Sequence, residues 1–195
     1  MSYNIGMDII LASNSPRRKE LLKKLCNFKV VVSGADENIA EQPPEEFCKT
    51  LAYLKAQSVA KDNYNSLVIG ADTIVVCNDK IIGKPKDEQD NIKILQMLSN
   101  NPHYVYTGYA LIYKDKSIIG VDKTKVVFNK LSLEQIVSYA KSGLGLDKAG
   151  GYGIQDNDIF VKEIIGSFDN VVGLPTEKLK EELQKIKEDI LWKVG

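Results

Sequence analysis

Asp72 sits where a carboxylate is expensive. It lies in the middle of Leu67–Cys77, LVIGADTIVVC, the most strand-like stretch of the chain. Continuous apolar character over that length reads as a central strand covered on both faces. A charged carboxylate there costs free energy unless it is paired or bound to a cation. One reading is a buried Asp satisfied by a lysine or by backbone N–H groups. The other is a metal ligand or general base, since a low-dielectric setting tunes carboxylate basicity for such work. Buried Asp is rare, which favours the working role. Glu37 stands in the polar turn Gly34–Ala35–Asp36–Glu37–Asn38. Alone it is a solvated turn residue; beside Asp72 it is a second oxygen ligand. Mg²⁺ takes one or two carboxylates and completes its shell with water and phosphate oxygens, so this pair would suffice.

A second stretch supplies anion-binding groups. Asp8 to Leu22 reads DIILASNSPRRKELL. The apolar start has strand length, Ser13–Asn14–Ser15 breaks it, and Pro16 fits the first position of a helix behind Ser15 as N-cap. Free N–H groups, hydroxyls and the forks of Arg17 and Arg18 suit phosphate geometry. Arginines in a first helical turn oppose the helix dipole, and a bound anion would account for them. Lys84 stands between Gly83 and Pro85, a setting that fits either a side chain directed at phosphate or an exposed turn lysine. Lys148 lies in the glycine-rich stretch Leu144–Gln155, LGLDKAGGYGIQ, where glycines let a ligand approach the backbone. Tyr152 and Gln155 there could stack on or read a base edge. Neither a Walker motif nor GxGxxG is present. Together these groups suit hydrolysis at a phosphoryl centre with a divalent cation.

Composition narrows the class. Lys plus Arg and Asp plus Glu both number 26, so no net field points to nucleic acid or an anionic membrane, and no stable nucleic-acid complex is expected. One histidine, His103, excludes a multi-histidine metal site within one chain and a Ser–His–Asp or Cys–His set in recognisable context. Cys26, Cys48 and Cys77 are odd in number and widely spaced, which fits reduced thiols and a cytoplasmic location. The first residues lack the basic-then-apolar profile of a secretory signal, and no apolar run approaches the roughly 18 residues that span a bilayer.

The remaining elements must position these groups. We expect strands at 8–12, 28–33, 67–77, 80–82, 104–113, 117–131 and 159–165, with a further extended piece at 171–174. Helices are expected after Ser15, from Pro43–Pro44 to about Lys61, over 87–98, from Ser132 with Gln135 as a capping box, and from Pro175 or Thr176 with the row Leu179, Leu183, Ile186 and Ile190. Gly143 is the expected C-cap of the Ser132 helix. The order mixes βαβ units with strand-rich stretches, so we expect an α/β fold with a mixed twisted sheet flanked by helices. A single domain over 1–195, with two lobes around a cleft and no boundary legible, is the expected organisation.

Five motifs then carry a resemblance over nearly the whole chain. LASNSPRRKELL (Leu11–Leu22), GADTIVV (Gly70–Val76), GKP (Gly83–Pro85), DKAGGYGIQ (Asp147–Gln155) and GSFDNVVGLP (Gly166–Pro175) resemble, in content and order, the Maf family of nucleoside triphosphate pyrophosphatases. The resemblance implies an elongated α/β fold like that of inosine triphosphate pyrophosphatases. It also implies hydrolysis of a nucleoside triphosphate to monophosphate and pyrophosphate with Mg²⁺ or Mn²⁺, a connection with septum formation, and a homodimer. Ala71–Asp72–Thr73 and Asp147–Gln155 are similar to the dTTP/UTP branch rather than the branch that takes 7-methyl-GTP. By that resemblance Asp72 is the proton acceptor. Arg17, Thr73 and Gln155 select the base; Ser13, Arg18, Glu37, Lys55, Lys84 and Lys148 line the substrate or metal site. Leu144–Gly145–Leu146 departs from the Glu-Pro-hydrophobe usual in relatives. Two alternatives remain open on the residues: a non-enzymatic nucleotide-binding regulator of division, and a pyrophosphatase for modified nucleotides.

Overall fold

The computed structural model describes residues 6–156 and 159–189. Strand β1 (Ile9–Leu11) is wholly buried and leads through the Ser13–Ser15 turn into α1 (Pro16–Lys23), with Ser15 as N-cap and Pro16 at the first helical position. β2 (Lys29–Val30) follows, then α2 (Pro44–Ala60). β3 (Leu67–Cys77) is buried along almost all its length and turns through Asn78–Asp79 into β4 (Lys80–Ile82). Both turn residues take positive φ, at 50° and 58°, as a primed hairpin turn demands. α3 (Glu88–Leu98), β5 (Pro102–Tyr113), β6 (Lys116–Phe128) and α4 (Leu133–Lys141) come next. The glycine-rich loop follows, then β7 (Val161–Ile165), α5 (Phe168–Val172) and α6 (Thr176–Glu188).

The seven strands form one sheet, ordered β2-β1-β3-β5-β6-β7, with β4 paired to β3 off that path. β1 runs parallel to β2 and β3, whereas β4 is antiparallel to β3 and β7 to β6, so the sheet is mixed as expected. No helix among the described residues is long and apolar enough to cross a membrane.

Two expectations fail locally. The second strand shrinks to Lys29–Val30, although Val31 N–H still bonds to Leu11 O. It lies at the end of the sheet order with its side chains exposed, so burial does not extend it. The piece expected to be extended at 171–174 instead begins inside helix α5. Ser167 Oγ accepts the Asn170 N–H (3.2 Å), and the fully buried Asn170 amide donates to Val105 O and Thr124 Oγ1 (3.1 and 3.0 Å). Those bonds fix a helical turn against the β propensity of Val171 and Val172. The α4 capping box is present in full, and Gly143 takes φ 71° directly after Ser142. Leu179, Leu183 and Ile186 are buried on α6; Ile190 lies outside the described residues.

By backbone packing the chain divides into two compact units. The first comprises Met1–Asp72, Thr107–Asp122 and Gly173–Gly195; the second Thr73–Tyr106 and Lys123–Val172. In the first, Ile10, Ala12, Val68, Ala110 and Ile112 from the strands pack on Ala52, Ala56 and Val59 of α2. Glycine sets that approach. A Cβ on Gly70 would meet the α2 backbone at Ala52 O and Ala56 N, and one on Gly108 would meet that of Cys48 and Lys49. In the second unit, Phe128, Phe160, Leu95, Leu98 and Tyr152 head the core. His103 lies fully buried there, edge-on to Phe128 (4.9 Å) and hydrogen-bonded through Nε2 to Tyr152 Oη (2.7 Å). Burial pushes its pKa down to about 4, against the opposing pull of a backbone bond to Asn101, so it is neutral at pH 7.

The close α2–sheet contact is testable. Gly70→Ala should cost about 1–3 kcal/mol in urea unfolding, the range for overpacking a close-packed contact. Gly34→Ala, where an added Cβ meets nothing within 4 Å, should stay within about 0.5 kcal/mol of the parent.

Candidate active site

In the first unit the sequence-predicted groups converge. Asp72 is buried in β3, and the close seat of α2 on Gly70 brings Lys55 to it: Lys55 Nζ stands 2.6 Å from Asp72 Oδ1. The same ammonium is 3.1 Å from Glu37 Oε2. Side-chain exposure is 12% for Lys55 and 13% for Asp72 against 58% for Glu37, so the inner pair is screened from water and the outer carboxylate is open to it. The Glu37 loop is tied back to α2. Ser33 Oγ meets Ser58 Oγ at 2.9 Å, and Ser58 Oγ in turn donates to Lys55 O (3.0 Å). Two carboxylates thus address one cationic point, and Lys55 occupies it.

The turn before α1 supplies the anion-binding side. Ser15 Oγ accepts the Arg18 N–H, while buried Ser13 Oγ accepts from Ser15 N–H (3.2 Å) and from the Arg18 guanidinium (3.4 Å). Arg18 Nε donates to Gly173 O (2.8 Å). This fixes the fork of a half-buried arginine by a carbonyl from the GSFDNVVGLP motif, 155 residues away. Gly173 adopts φ 126°, a backbone conformation open essentially to glycine alone. Burial lowers the Arg18 pKa, Asp72 opposes that shift, Arg17 reinforces it and Glu37 opposes it. Arg17, Arg18, Glu37 and Asp72 therefore share one electrostatic neighbourhood.

The second unit holds the other expected residues. Thr73 is half-buried, and Lys84 is exposed in the turn after β4. Gly83 O accepts the Gly150 N–H (3.0 Å), so the GKP turn and the glycine-rich loop lie together. Gly150 and Gly151 take φ 74° and 68°, and Cβ atoms there would strike Val75 and the Asn91 amide. Lys148 Nζ donates to Leu144 O, to Asp147 Oδ1 (3.1 Å) and to Asp156 Oδ2 (3.1 Å). These three acceptors match the three donors of an ammonium, so here Lys148 staples its own loop. Gln155 is exposed at that loop's end.

The cysteines take no part. All three are free and buried; burial pushes the Cys26 thiol up to about 11, and burial together with the negative charge of Asp72 pushes Cys48 up to about 12. Such thiols are inert as nucleophiles at neutral pH.

The family model described as Maf-like protein matches residues 8–186. The chain belongs to the Maf family. A Bacillus cereus (strain AH820) relative named dTTP/UTP pyrophosphatase is 45% identical over 93% of this chain and 97% of its own length. One from Geobacillus sp. (strain WCH70) with the same name is 47% identical over 91% of this chain and 97% of its own. Within this Maf chain, sequence reasoning quoted Gly173 in the GSFDNVVGLP motif without its contact to Arg18, and did not single out Tyr139 or Asp156, whose side chains bond to each other.

The Lys55–Asp72 pair makes a distinct energetic prediction. Lys55→Met should cost about 3 kcal/mol in urea unfolding, because it strands a buried carboxylate. Adding Asp72→Asn should recover most of that loss. Strictly additive losses would mean that the two side chains are not coupled.

Proposed function

We propose that this Maf chain hydrolyses dTTP and UTP to the monophosphate and pyrophosphate. What carries the proposal is one juxtaposition. A buried carboxylate, Asp72, lies in the same electrostatic neighbourhood as Arg18, whose guanidinium bonds to Ser13 in a helix-capping turn. That is a base beside an anion cradle, the equipment for water attack on a phosphoryl centre. The relatives named dTTP/UTP pyrophosphatase support the choice of dTTP and UTP.

In this reading Ser13, Arg18 and the α1 N-terminal N–H groups hold the triphosphate, with Lys55 and Lys84 as further phosphate ligands, and Lys148 joins them by exchanging one of its loop acceptors for a phosphate oxygen. Asp72 accepts the proton of the water that attacks the α-phosphorus. Arg17, Thr73 and Gln155 discriminate the base. A divalent cation fits the donor set, since Glu37 and Asp72 already direct oxygens at one positive centre. Among the described residues no group of three or more His, Cys, Asp or Glu gathers for a metal, so water and phosphate would complete the shell of Mg²⁺ or Mn²⁺. Bound by Glu37 and Asp72, the cation would neutralise phosphate charge. Free buried thiols fit a reducing cytoplasm.

The test is pyrophosphate release from dTTP, UTP, CTP, GTP and 7-methyl-GTP, with and without Mg²⁺ or Mn²⁺. Selective, cation-dependent release from dTTP and UTP is expected. Nucleotide binding with no release from any of them would leave a regulator in place of an enzyme.

A further inference from the structure

One side chain outside the expected set grips both ends of the turn that carries Gln155. In the segment Gly153–Ile154–Gln155–Asp156, the Asp156 N–H donates to Gly153 O (3.0 Å), which closes a four-residue turn. The Tyr139 hydroxyl, from α4, accepts the Gly153 N–H (3.0 Å) and donates to Asp156 Oδ2 (2.9 Å). One oxygen thus ties the first residue of the turn to the last. The same Asp156 oxygen meets Lys148 Nζ at 3.1 Å, which links the turn to the head of the loop. The Asp156 carboxylate folds back so closely that any Cβ on Gly153 would collide with it. Between the two clamped ends, Ile154 is buried and Gln155 is exposed. Tyr139 is itself anchored, 95% buried with its ring 4.9 Å from that of Phe160.

We propose that Tyr139 is a positioning residue for base selection, acting through the Gly153–Asp156 turn to fix the direction of Gln155. The inference rests on the reading of Gln155 as a base-selecting residue. A side-chain amide selects a base edge only if its donor and acceptor are held in place, because a mobile amide satisfies competing edges equally well. The turn supplies that constraint, and the Tyr139 hydroxyl supplies the turn's lateral tie. Burial raises the Tyr139 pKa, the bond accepted from Gly153 opposes that and the bond to Asp156 adds to it; the net shift is upward, so the hydroxyl keeps its proton and its donor role through the neutral range.

The experiment compares Tyr139→Phe, Gln155→Ala and the double variant. Its readout is kcat and KM for dTTP and CTP in the presence of Mg²⁺. Tyr139→Phe retains the ring and deletes only the hydroxyl. It should lower the dTTP-over-CTP preference in kcat/KM about tenfold, the size expected for one hydrogen bond, mainly through a higher KM for dTTP. In the Gln155→Ala background the same change should have little further effect on the preference. Asp156→Ala, which removes the other end of the link, should reproduce the loss and keeps the proposal testable if Tyr139→Phe does not fold. An unchanged preference in Tyr139→Phe, with a changed one in Gln155→Ala, would overturn the role of Tyr139 and leave that of Gln155 standing. An equal loss in both backgrounds would overturn it as a purely structural effect. An unchanged preference in Gln155→Ala would remove the reading of Gln155 and the inference with it.

Discussion

The structure of the first unit depends on a charge placed inside an apolar strand. Asp72 interrupts eleven residues of β3 that are otherwise suited to a dry core, and Lys55 answers it at 2.6 Å. Neither member is stable in that place alone, since an unpaired buried charge costs several kcal/mol. The pair forms because α2 comes unusually close to the sheet, and α2 comes close because Gly70 and Gly108 present no side chains to it. The same geometry leaves Lys55 within reach of Glu37, so two carboxylates meet one ammonium at this point. Charge pairing of this kind is weak evidence for stability. Its geometric consequence is clearer: the Lys55 ammonium fixes where the Asp72 carboxylate points.

The two glycine-rich elements achieve precision rather than mobility. In Gly150–Gly151 the positive φ values let the loop pass against Val75 and Asn91, and the Asn91 amide donates to Gly151 O (2.9 Å). His103 holds the next residue, Tyr152. Gly173 uses its unusual backbone to turn a carbonyl onto Arg18. In both places glycine permits close approach of backbone to a neighbouring group, which then fixes the loop.

Much of this was legible in the sequence, and the failures have physical causes. The capped start of α1, the α4 capping box and the buried course of β3 are local patterns, and all are present. The gathering of Ser13, Arg18, Glu37, Lys55 and Asp72 could be anticipated from residue types and from a family resemblance. The partner of Asp72 could not be read from spacing: Lys55 lies 17 residues away on another element, and only tertiary packing joins them. The helical turn of α5 was hidden because a buried Asn, not local propensity, decides it. Lys148 reads from its glycine-rich surroundings as a ligand contact, and its bonds to Leu144, Asp147 and Asp156 within the same loop could not be read from that pattern. Tyr139 carried no signal at all, since its bonds to Gly153 and Asp156 arise only from where α4 lies in space.

The most direct test of the account is turnover of dTTP by Asp72→Asn. The amide keeps the shape of the side chain and an oxygen for Lys55 but accepts a proton poorly. If Asp72 is the proton acceptor, kcat should fall by about 10²–10⁴, with a native circular-dichroism spectrum and nucleotide affinity retained. Near-normal turnover in a correctly folded variant would contradict the assignment and leave Asp72 as a structural partner of Lys55.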